Sequence, residues 1–443
     1  MSPIRGEPSR PGSPRQVWLA LGLVVLVFVT LSSVIAIKVP AWEASDEPDH
    51  VDNIELMVAG HWYGINTHCG AFSTTPSCTN DELQQAPMYY LVMAAWQKIM
   101  GLPPRPPSNE RTSWALFLKH GEVFSNHSAS DHRFLLWLRF PNIALGASTV
   151  FVVFLAIRRV SRDPWTPVVA AAILAFLPRF VFLSAFVTND NLVNFLGAVL
   201  GYLALRFITS PSVWKMAWVG ATFGLLVATK LSALPMGLVI VVLVFLVPTW
   251  KRRLSLSAVA GGGAALTCGW YLIQNTVRYG DPLARTATSR YLSWSGGLGT
   301  FFGPYRVTDP LNLVFWHVPQ RIMQTFWYES GWGQFTWKMP VYVAITVVVL
   351  IVLVDIYGQK IPRDVLITLA TLSVAALLSV WIVAMQAPTY KGRYALVGCV
   401  GLAGLIAFAL QRWKLPVRFL LPAAGVVGTC IAIQSNVLAV HWT

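Results

Sequence analysis

The six-residue segment SDEPDH, residues 45–50, concentrates groups that can exchange protons. It contains Asp46, Glu47, Asp49 and His50. Carboxylates and imidazoles act as general bases toward hydroxyl groups. The segment follows an apolar run, residues 17–37, that is long enough to cross a bilayer as a helix. Ionisable groups at membrane depth are costly and indicate a functional site by default. The end of this first span is therefore a candidate catalytic position.

Further ionisable side chains fall in the connections between later apolar runs. Asp190 lies in TNDN, Lys230 in ATKLSAL, Arg278 in RYGDP and Arg393 in GRYALVG. Arginine binds phosphate through a bidentate fork and lysine binds it as a point charge. A carboxylate base beside such a phosphate clamp suits the transfer of a group from a lipid phosphate to an acceptor. The ordinary alternative, for any single residue, is that loops hold the polar residues because the spans exclude them.

About eleven apolar runs predict membrane-spanning helices that would position these residues. Placing the N-terminus in the cytoplasm makes the short inner loops basic, as the orientation rule for Lys and Arg requires. The candidate site residues then share the outer face. The approximate limits of the runs are 17–37, 134–157, 164–185, 190–208, 214–230, 232–248, 254–274, 338–357, 364–385, 394–410 and 417–437.

The composition indicates an all-α polytopic membrane protein. Of the 443 residues, 55% are hydrophobic and only 12% are charged, with a mean hydropathy of +0.57. A soluble domain carries roughly 25% charged residues. The net charge of +14 comes from 33 Lys and Arg against 19 Asp and Glu. Because basic residues crowd the inner loops of membrane proteins, this charge is assigned to orientation and not to nucleic-acid binding.

The chain divides into a tail and one membrane domain. Residues 1–15 are rich in Pro, Ser and Arg and are expected to form a disordered cytoplasmic tail. Residues 16–443 form the membrane domain, with large outer loops at 38–133 and 275–337. Within the first loop, the apolar run 86–100 is short for a span, so it is expected to form an interfacial helix.

Two features of the first outer loop leave alternatives open. Cys69 and Cys78 are a candidate disulfide because disulfides persist outside the cytoplasm, but sequence does not fix their geometry. Asp49 and His50 match no strong metal motif. The expectation is therefore no cofactor, with a divalent metal left open. Asp49 is instead expected to cap a helix over residues 51–59.

The order of these motifs resembles that of a known superfamily. An apolar helix is followed by the DE pair, by QQAPMYY and by LRFPNIALG, and then by TNDN, ATKLSAL, WYLIQNTVRYGDP and GRYALVG. This order is similar to that of the multi-spanning C-type glycosyltransferases, which use polyprenyl-phosphate sugars. Protein O-mannosyltransferases and the aminoarabinose transferase of lipid A belong to that superfamily. One departure is that QQAPMYY replaces the more usual Gln-Pro-Pro pattern.

The resemblance implies roles for residues at matching positions. Asp46 matches the catalytic base, or the acid that orients the acceptor, and Glu47 is its partner. Lys230 and Arg393 occupy places where cations meet the donor phosphate, and the role of the second acidic position is open. The class displaces the lipid phosphate in one step, with inversion at the anomeric carbon. The implied substrate-binding residues are Asp190, Lys230, Arg278 and Arg393.

The sequence thus predicts a GT-C membrane glycosyltransferase of a bacterial cell membrane, with its active site on the extracytoplasmic face. The expected partners are a polyprenyl-phosphate sugar donor, membrane lipids and a lipid, glycan or protein acceptor. The alternative is a transporter or flippase of lipid-linked sugars, which would place charges near the membrane midplane and show an internal repeat. A non-catalytic scaffold, which would tolerate change at Asp46, is the third hypothesis.

Overall fold

The computed structural model describes residues 13–42, 44, 46–62, 64–65, 82–103, 129–291, 316, 318–330, 335–386 and 391–434. These residues are predominantly helical, with short 3-10 helices at Leu231–Met236, Asp355–Gly358, Gly392–Gly398 and Leu410–Arg412. Two short strands, β1 (Glu329–Ser330) and β2 (Phe335–Thr336), pair in antiparallel fashion. The α-helices, numbered in chain order, are α1 Pro14–Lys38, α2 Glu47–Val58, α3 Met88–Ile99, α4 Ala129–Arg158, α5 Thr166–Ala175, α6 Pro178–Ser184, α7 Asp190–Thr209, α8 Val213–Thr229, α9 Gly237–Phe245, α10 Trp250–Tyr279, α11 Arg285–Tyr291, α12 Val318–Trp327, α13 Met339–Val354, α14 Arg363–Gln386, α15 Cys399–Ala409, α16 Leu415–Arg418 and α17 Leu420–Ile433.

The long helices make this a multi-pass membrane protein. Within the described ranges, seven helical segments are long and apolar enough to cross a membrane. The pair α5 and α6 is an eighth candidate, bent by 65°. Pro178 opens α6, and a proline inside a continuous helix would remove a backbone hydrogen bond and clash with the preceding turn. Three shorter apolar helices, Val213–Thr229, Leu231–Phe245 and Leu420–Ile433, fall where further spans were predicted. The all-helical membrane class is confirmed, and the total of about eleven spans stays a prediction.

The break between α8 and α9 presents a lysine. Helix α8 ends at Thr229, and Lys230 has an extended backbone with φ −160° and ψ 121°. A 3-10 helix that contains Pro235 follows before α9 begins. The sequence predicted a break between two spans at this point. The buried Lys230 side chain therefore extends from the end of α8, and its Nζ donates a hydrogen bond to Asn189, the residue before α7.

Glycines let the membrane helices approach closely. A Cβ on Gly220 of α8 would overlap the carbonyl of Ala260 in α10, and one on Gly197 of α7 would overlap the carbonyl of Val397. Small residues at such contacts are the usual means of tight packing between membrane helices. The contact at Gly197 presses the 3-10 segment Gly392–Gly398 against α7. Both elements carry candidate site residues at one end.

The segment that carries the acidic pair begins its helix earlier than the sequence suggested. Helix α2 starts at Glu47 and not at residue 51, so Asp49 lies in its first turn and does not cap it. Pro48 explains the difference, since proline is well suited to the first turn of a helix. Asp46 precedes the helix with φ +65°, a left-handed conformation that aspartate tolerates better than most residues. Helix α3 forms where the interfacial helix was predicted and packs against α2.

Two expectations fall largely or wholly outside the described residues. Cys69 and Cys78, the candidate disulfide, lie there, as does most of the predicted tail 1–15. The described chain starts at Ser13, whose hydroxyl accepts a hydrogen bond from the backbone N–H of Gln16 and caps α1.

Candidate active site

Five charged side chains form one continuous ion-pair cluster: Asp46, Asp190, Lys230, Lys391 and Arg393. Arg393 joins the two carboxylates, because its Nη2 lies 2.6 Å from Asp46 Oδ2 and its Nε lies 3.1 Å from Asp190 Oδ2. Lys391 Nζ lies 3.3 Å from Asp46 Oδ2, and Lys230 Nζ lies 2.6 Å from Asp190 Oδ1. The planar guanidinium of arginine suits such bridging. The cluster brings three cations and two carboxylates into mutual contact.

Each member of the cluster sits at the end of a helical element. Asp46 precedes α2, Asp190 opens α7, and Lys230 follows α8. Lys391 and Arg393 stand at the start of the 3-10 segment that leads into α15. Residues at element ends can hold charges that the apolar helix interiors exclude. The sequence prediction that these connections share one face is therefore matched by direct contact between their side chains.

Lys230 is held by polar and aromatic groups together. Its Nζ donates to Asn189 Oδ1 at 3.0 Å and lies 4.5 Å from the ring centroid of Tyr394. The guanidinium of Arg393 also stands over that ring, at 5.4 Å. A cation above an aromatic face is attracted by the ring quadrupole. Tyr394 thus contacts two cations that are both buried.

Glu47, the second acid of the DE pair, is buried against an arginine that sequence reasoning did not single out. Arg139 of α4 donates from Nε to Glu47 Oε1 at 2.9 Å and from Nη2 to Oε2 at 2.6 Å, and both side chains are fully buried. The backbone N–H of Val187 also donates to Glu47 Oε1 at 3.1 Å. The guanidinium further donates to three backbone carbonyls after or near the end of α1, those of Ala36, Val39 and Pro40.

These contacts give Glu47 a positioning function in the fold. The Glu47–Arg139 pair ties the first turn of α2 to the end of α1 and to the loop before α7. These contacts thereby fix the position of the neighbouring residue, Asp46, beside Arg393. The signal for Arg139 was a lone arginine within the apolar run 134–157, which resembles an ordinary residue at a span boundary.

Glu82 is a third carboxylate near the cluster, and the sequence analysis did not identify it. Its carboxylate accepts a hydrogen bond from Gln85 Nε2, and its backbone carbonyl accepts one from Asn53 Nδ2 at 3.0 Å. Gln85 Oε1 accepts a hydrogen bond from Asn189 Nδ2 at 3.0 Å. Asn189 Oδ1 in turn accepts a hydrogen bond from Lys230 Nζ, so a chain of hydrogen bonds joins Glu82 to the ion-pair cluster.

The surroundings separate the acidities of these carboxyl groups. Burial opposes ionisation of Asp46, but Lys391 and Arg393 outweigh burial and hold the pKa of Asp46 well below its usual range. Burial raises the pKa of Glu82 to about 7, and the negative charge of Asp46 contributes to the rise. Lys230, Lys391 and the Gln85 hydrogen bond oppose it. Two acids at one site therefore differ in proton affinity near neutral pH.

His50 is buried beside the cluster as a neutral group. Its Nδ1 lies 2.8 Å from the hydroxyl of Tyr90 in α3. Burial lowers the pKa of His50 to about 3, against the opposing charge of Asp46. The histidine therefore joins α2 to α3 without adding a positive charge.

A pocket opens on one side of the cluster and includes a further arginine. Arg179 at the start of α6 and Arg393 both line it, with Thr188, Glu329 and Ser330 among the polar neighbours. Arg179 Nη1 donates to the carbonyl of Glu329. Its Nε is buried and has no hydrogen-bond partner in the part of the chain that the structure describes. The pocket thus contains a guanidinium with unused hydrogen-bonding capacity.

The structure brings four predicted site residues into one cluster and places another elsewhere. Asp46, Asp190, Lys230 and Arg393 are in the ion-pair cluster described above. Arg278 is exposed near the end of α10, next to Gly64 of the first outer loop. Among the described ranges, no group of three or more His, Cys, Asp or Glu side chains is placed to hold a metal ion.

Comparison with known proteins relates the chain to membrane glycosyltransferases. The family model for dolichyl-phosphate-mannose-protein mannosyltransferase matches residues 135–268. The crystal structure of ArnT from Cupriavidus metallidurans bound to undecaprenyl phosphate has a TM-score of 0.53 and 16% identity, and the match covers 97% of this chain and 65% of that one. The oligosaccharyltransferase of Archaeoglobus fulgidus in the apo form has a TM-score of 0.55 and 15% identity, over 97% of this chain and 55% of that one. No curated protein matches the chain significantly. The chain spans less than two thirds of the length of these solved structures, and at such identities the likeness shows the fold.

Proposed function

We propose that this multi-pass membrane protein, which has the fold of the GT-C superfamily of glycosyltransferases, transfers a sugar from a polyprenyl-phosphate donor to an acceptor. The observation that carries the proposal is the ion-pair cluster, in which Asp46 and Asp190 share Arg393 and are flanked by Lys230 and Lys391. Such a cluster combines carboxylates that can contact a hydroxyl with cations that can bind a phosphate. The ArnT structure, with the same fold, is bound to undecaprenyl phosphate.

The cations bind the donor phosphate in this proposal. Lys230 and Arg393 meet the phosphate oxygens, and Arg179 lines the same pocket as Arg393. When the bond between the anomeric carbon and the phosphate oxygen breaks, the electron pair leaves with the polyprenyl phosphate. Cations placed where that charge develops stabilise the transition state. Arg278, which is exposed at the end of α10, would contact the donor only outside the cluster.

The carboxylates handle the acceptor. The acceptor oxygen attacks the anomeric carbon from the face opposite the leaving phosphate, which inverts that centre, and its proton passes to a carboxylate. Asp46 contacts the acceptor hydroxyl, either as the base that takes this proton or as the acid that orients the hydroxyl. Glu47 acts through Asp46 by holding the turn with Arg139. Asp190 keeps Arg393 and Lys230 in place.

The proposed reaction takes place on the extracytoplasmic side of a bacterial cell membrane. The basic inner loops predict this orientation, because Lys and Arg are retained in the cytoplasm. All five members of the ion-pair cluster fall in connections assigned to the outer face. The acceptor is a lipid, a glycan or a protein that reaches that face.

The transfer is further proposed to need no metal ion. Each cluster carboxylate is already paired with two cations. Asp46 pairs with Lys391 and Arg393, and Asp190 pairs with Lys230 and Arg393. A divalent metal would meet the repulsion of these charges, so the donor set does not fit one. The positive side chains supply the charge stabilisation that the leaving phosphate needs.

Turnover of labelled polyprenyl-phosphate sugars tests the proposal. The purified full chain is reconstituted in lipid, and release of sugar from a panel of donors is compared for the wild type and Asp46→Asn at matched protein levels. Asparagine tolerates the left-handed backbone of residue 46, so the substitution removes the charge without adding strain. Asp364→Asn, at the start of α14, is the matched carboxylate-to-amide control. Asp364 lies about 33 Å along the helix, at 1.5 Å per residue, from Gln386, the end of α14 that precedes Lys391 in the chain.

Three outcomes are informative. Donor consumption by the wild type and Asp364→Asn, with a loss of at least about 100-fold in Asp46→Asn, is the expected result. Equal consumption by Asp46→Asn and the wild type contradicts the assigned site. Movement of an intact lipid-linked sugar across the bilayer, without release of sugar from any donor, supports the transporter alternative instead.

A further inference from the structure

A chain of side-chain hydrogen bonds links Glu82 to the ion-pair cluster. Its carboxylate accepts from Gln85, which accepts from Asn189, which accepts from Lys230, which donates to Asp190. The links from Asn189 to Gln85 and from Lys230 to Asn189 are both 3.0 Å long. Such a chain fixes the orientation of the carboxylate relative to the cluster.

The segment that carries Glu82 is anchored from a second direction. Asn53 of α2 donates from Nδ2 to the backbone carbonyl of Glu82 at 3.0 Å. Asn53 is fully buried and stands in the helix that Asp46 precedes. Residue 82 is therefore held by α2 through its backbone, and by the neighbouring Gln85, which Asn189 binds in turn, through its side chain. This double support is what a precisely used side chain needs.

The cluster itself makes Asp46 a poor proton acceptor. Its carboxylate is bound by Lys391 and Arg393, which stabilise the charged form. A base whose conjugate acid is strong accepts a proton from a hydroxyl weakly. The same contacts are well suited to fixing Asp46 as an ionised hydrogen-bond acceptor that orients the acceptor hydroxyl.

We propose that Glu82 is the residue that takes the acceptor's proton, while Asp46 stays ionised and orients the acceptor. This inference rests on the proposed glycosyl transfer. As the acceptor oxygen bonds to the anomeric carbon, the carbon–oxygen bond to phosphate breaks and its electron pair leaves with the lipid phosphate. The hydroxyl proton passes to the Glu82 carboxylate, directly or through one water. Glu82 then releases the proton to solvent.

The groups that face Glu82 are consistent with a base that works near neutral pH. Asp46 raises its proton affinity, whereas Lys230, Lys391 and the Gln85 amide lower it. Gln84 also points an amide at the carboxylate, at 3.5 Å. The balance leaves the pKa of Glu82 at about 7, so the basic form is populated at pH 7 and above. A catalytic base is most effective when its pKa lies near the working pH.

The pH dependence of kcat for sugar release is the test, measured with saturating donor and acceptor. For the wild type, we expect the rate to fall as pH drops through about 7, because protonation removes the base. Glu82→Gln should lower kcat by about 100- to 10,000-fold and abolish this acid limb, with the KM for donor within about threefold. Asp364→Asn should keep both rate and limb. Asp46→Asn should lose activity and, in whatever rate remains, keep an acid limb that has moved to lower pH, because the charge of Asp46 helps to raise the pKa of Glu82.

A second variant keeps the test informative if Glu82→Gln does not fold. Gln85→Met removes the hydrogen bond that lowers the pKa of Glu82, so the acid limb should move to higher pH. An unmoved limb in Gln85→Met, or wild-type kcat with an unchanged limb in Glu82→Gln, overturns the assignment of Glu82 and leaves the glycosyltransferase proposal intact. A wild type that releases no sugar from any donor contradicts the proposed function, and the role of Glu82 with it.

Discussion

Glu47→Gln is the substitution that most directly tests how the turn that carries Asp46 is held. Glu47 accepts hydrogen bonds from Arg139 Nε, Arg139 Nη2 and the backbone N–H of Val187. Glutamine retains one acceptor oxygen, but it places an amide N–H against the guanidinium and removes the negative charge. Each hydrogen bond to a charged group contributes about 1.5–3 kcal/mol. Removal of one partner of a buried ion pair costs about 3–5 kcal/mol, because the other charge stays buried.

Thermal unfolding in detergent measures the loss. At roughly 2 °C per kcal/mol for a large domain, a loss of 3–5 kcal/mol corresponds to a fall in Tm of about 6–10 °C. The double replacement Glu47→Leu with Arg139→Met removes both charges and should restore part of the lost stability, since an apolar pair of similar size is often neutral or stabilising. The recovery should be incomplete, because the backbone N–H of Val187 and the three carbonyls that Arg139 binds lose these partners. Sugar release should stay low in the double variant, because Asp46 loses the tie that fixes its position.

Two results would refute this reasoning. A Tm for Glu47→Gln within about 2 °C of the wild type shows that the pair does not hold the fold together. A double variant that is stable and fully active shows that Asp46 is positioned without Glu47. The matched control is Asp364→Asn, which changes a carboxylate in the first turn of α14. This variant should leave both Tm and activity near the wild-type values.

Three further predictions concern the cluster and the segment that carries it. Arg393→Lys should lower kcat/KM by about 10- to 100-fold in the sugar-release assay, because a lysine cannot bridge both cluster carboxylates; retention of full activity would contradict the bridging role. Gly392→Ala should destabilise the fold by about 1–3 kcal/mol in thermal unfolding, because its Cβ would overlap the carbonyl of Ile322. Gly261→Ala, where a Cβ has open space, is the control and should be neutral or slightly stabilising. Treatment with a chelator should leave sugar release unchanged, whereas loss of activity that added divalent metal restores would overturn the metal-free proposal.

The fold class and four members of the ion-pair cluster could be predicted because both depend on local signals. Apolar length predicts membrane helices, and an ionisable residue at a span end stands out against the apolar sequence around it. Asp46, Asp190, Lys230 and Arg393 were found in this way. The 65° bend between α5 and α6 was not predicted, although Pro178 is visible in the sequence. A proline near the end of an apolar run can be accommodated in several ways, and only packing selects among them.

The missed residues are those whose importance depends on distant partners. Arg139 looks like a boundary residue until Glu47 is placed beside it, 92 positions away in the chain. Glu82 stands in a polar loop with ordinary neighbours, and its link to Lys230 passes through Gln85 and Asn189. Long-range pairing of this kind has no local sequence signal.

The start of α2 was mispredicted although its signal is local. Helix α2 begins at Glu47, four residues before the predicted start at residue 51, and Pro48 in its first turn favours the earlier start.

The mutual pairing within the cluster has a consequence for affinity. The cations that would bind a phosphate are already neutralised by Asp46 and Asp190. In the proposed reaction, a donor phosphate would compete with the protein's own carboxylates, and the net binding free energy would be the difference between two sets of ion pairs. Such an exchange would keep the buried charges compensated at every stage and would moderate the affinity for the spent carrier lipid. Under the proposed function, the two aspartates would compete with the lipid phosphate for the cations and favour its release after each turnover.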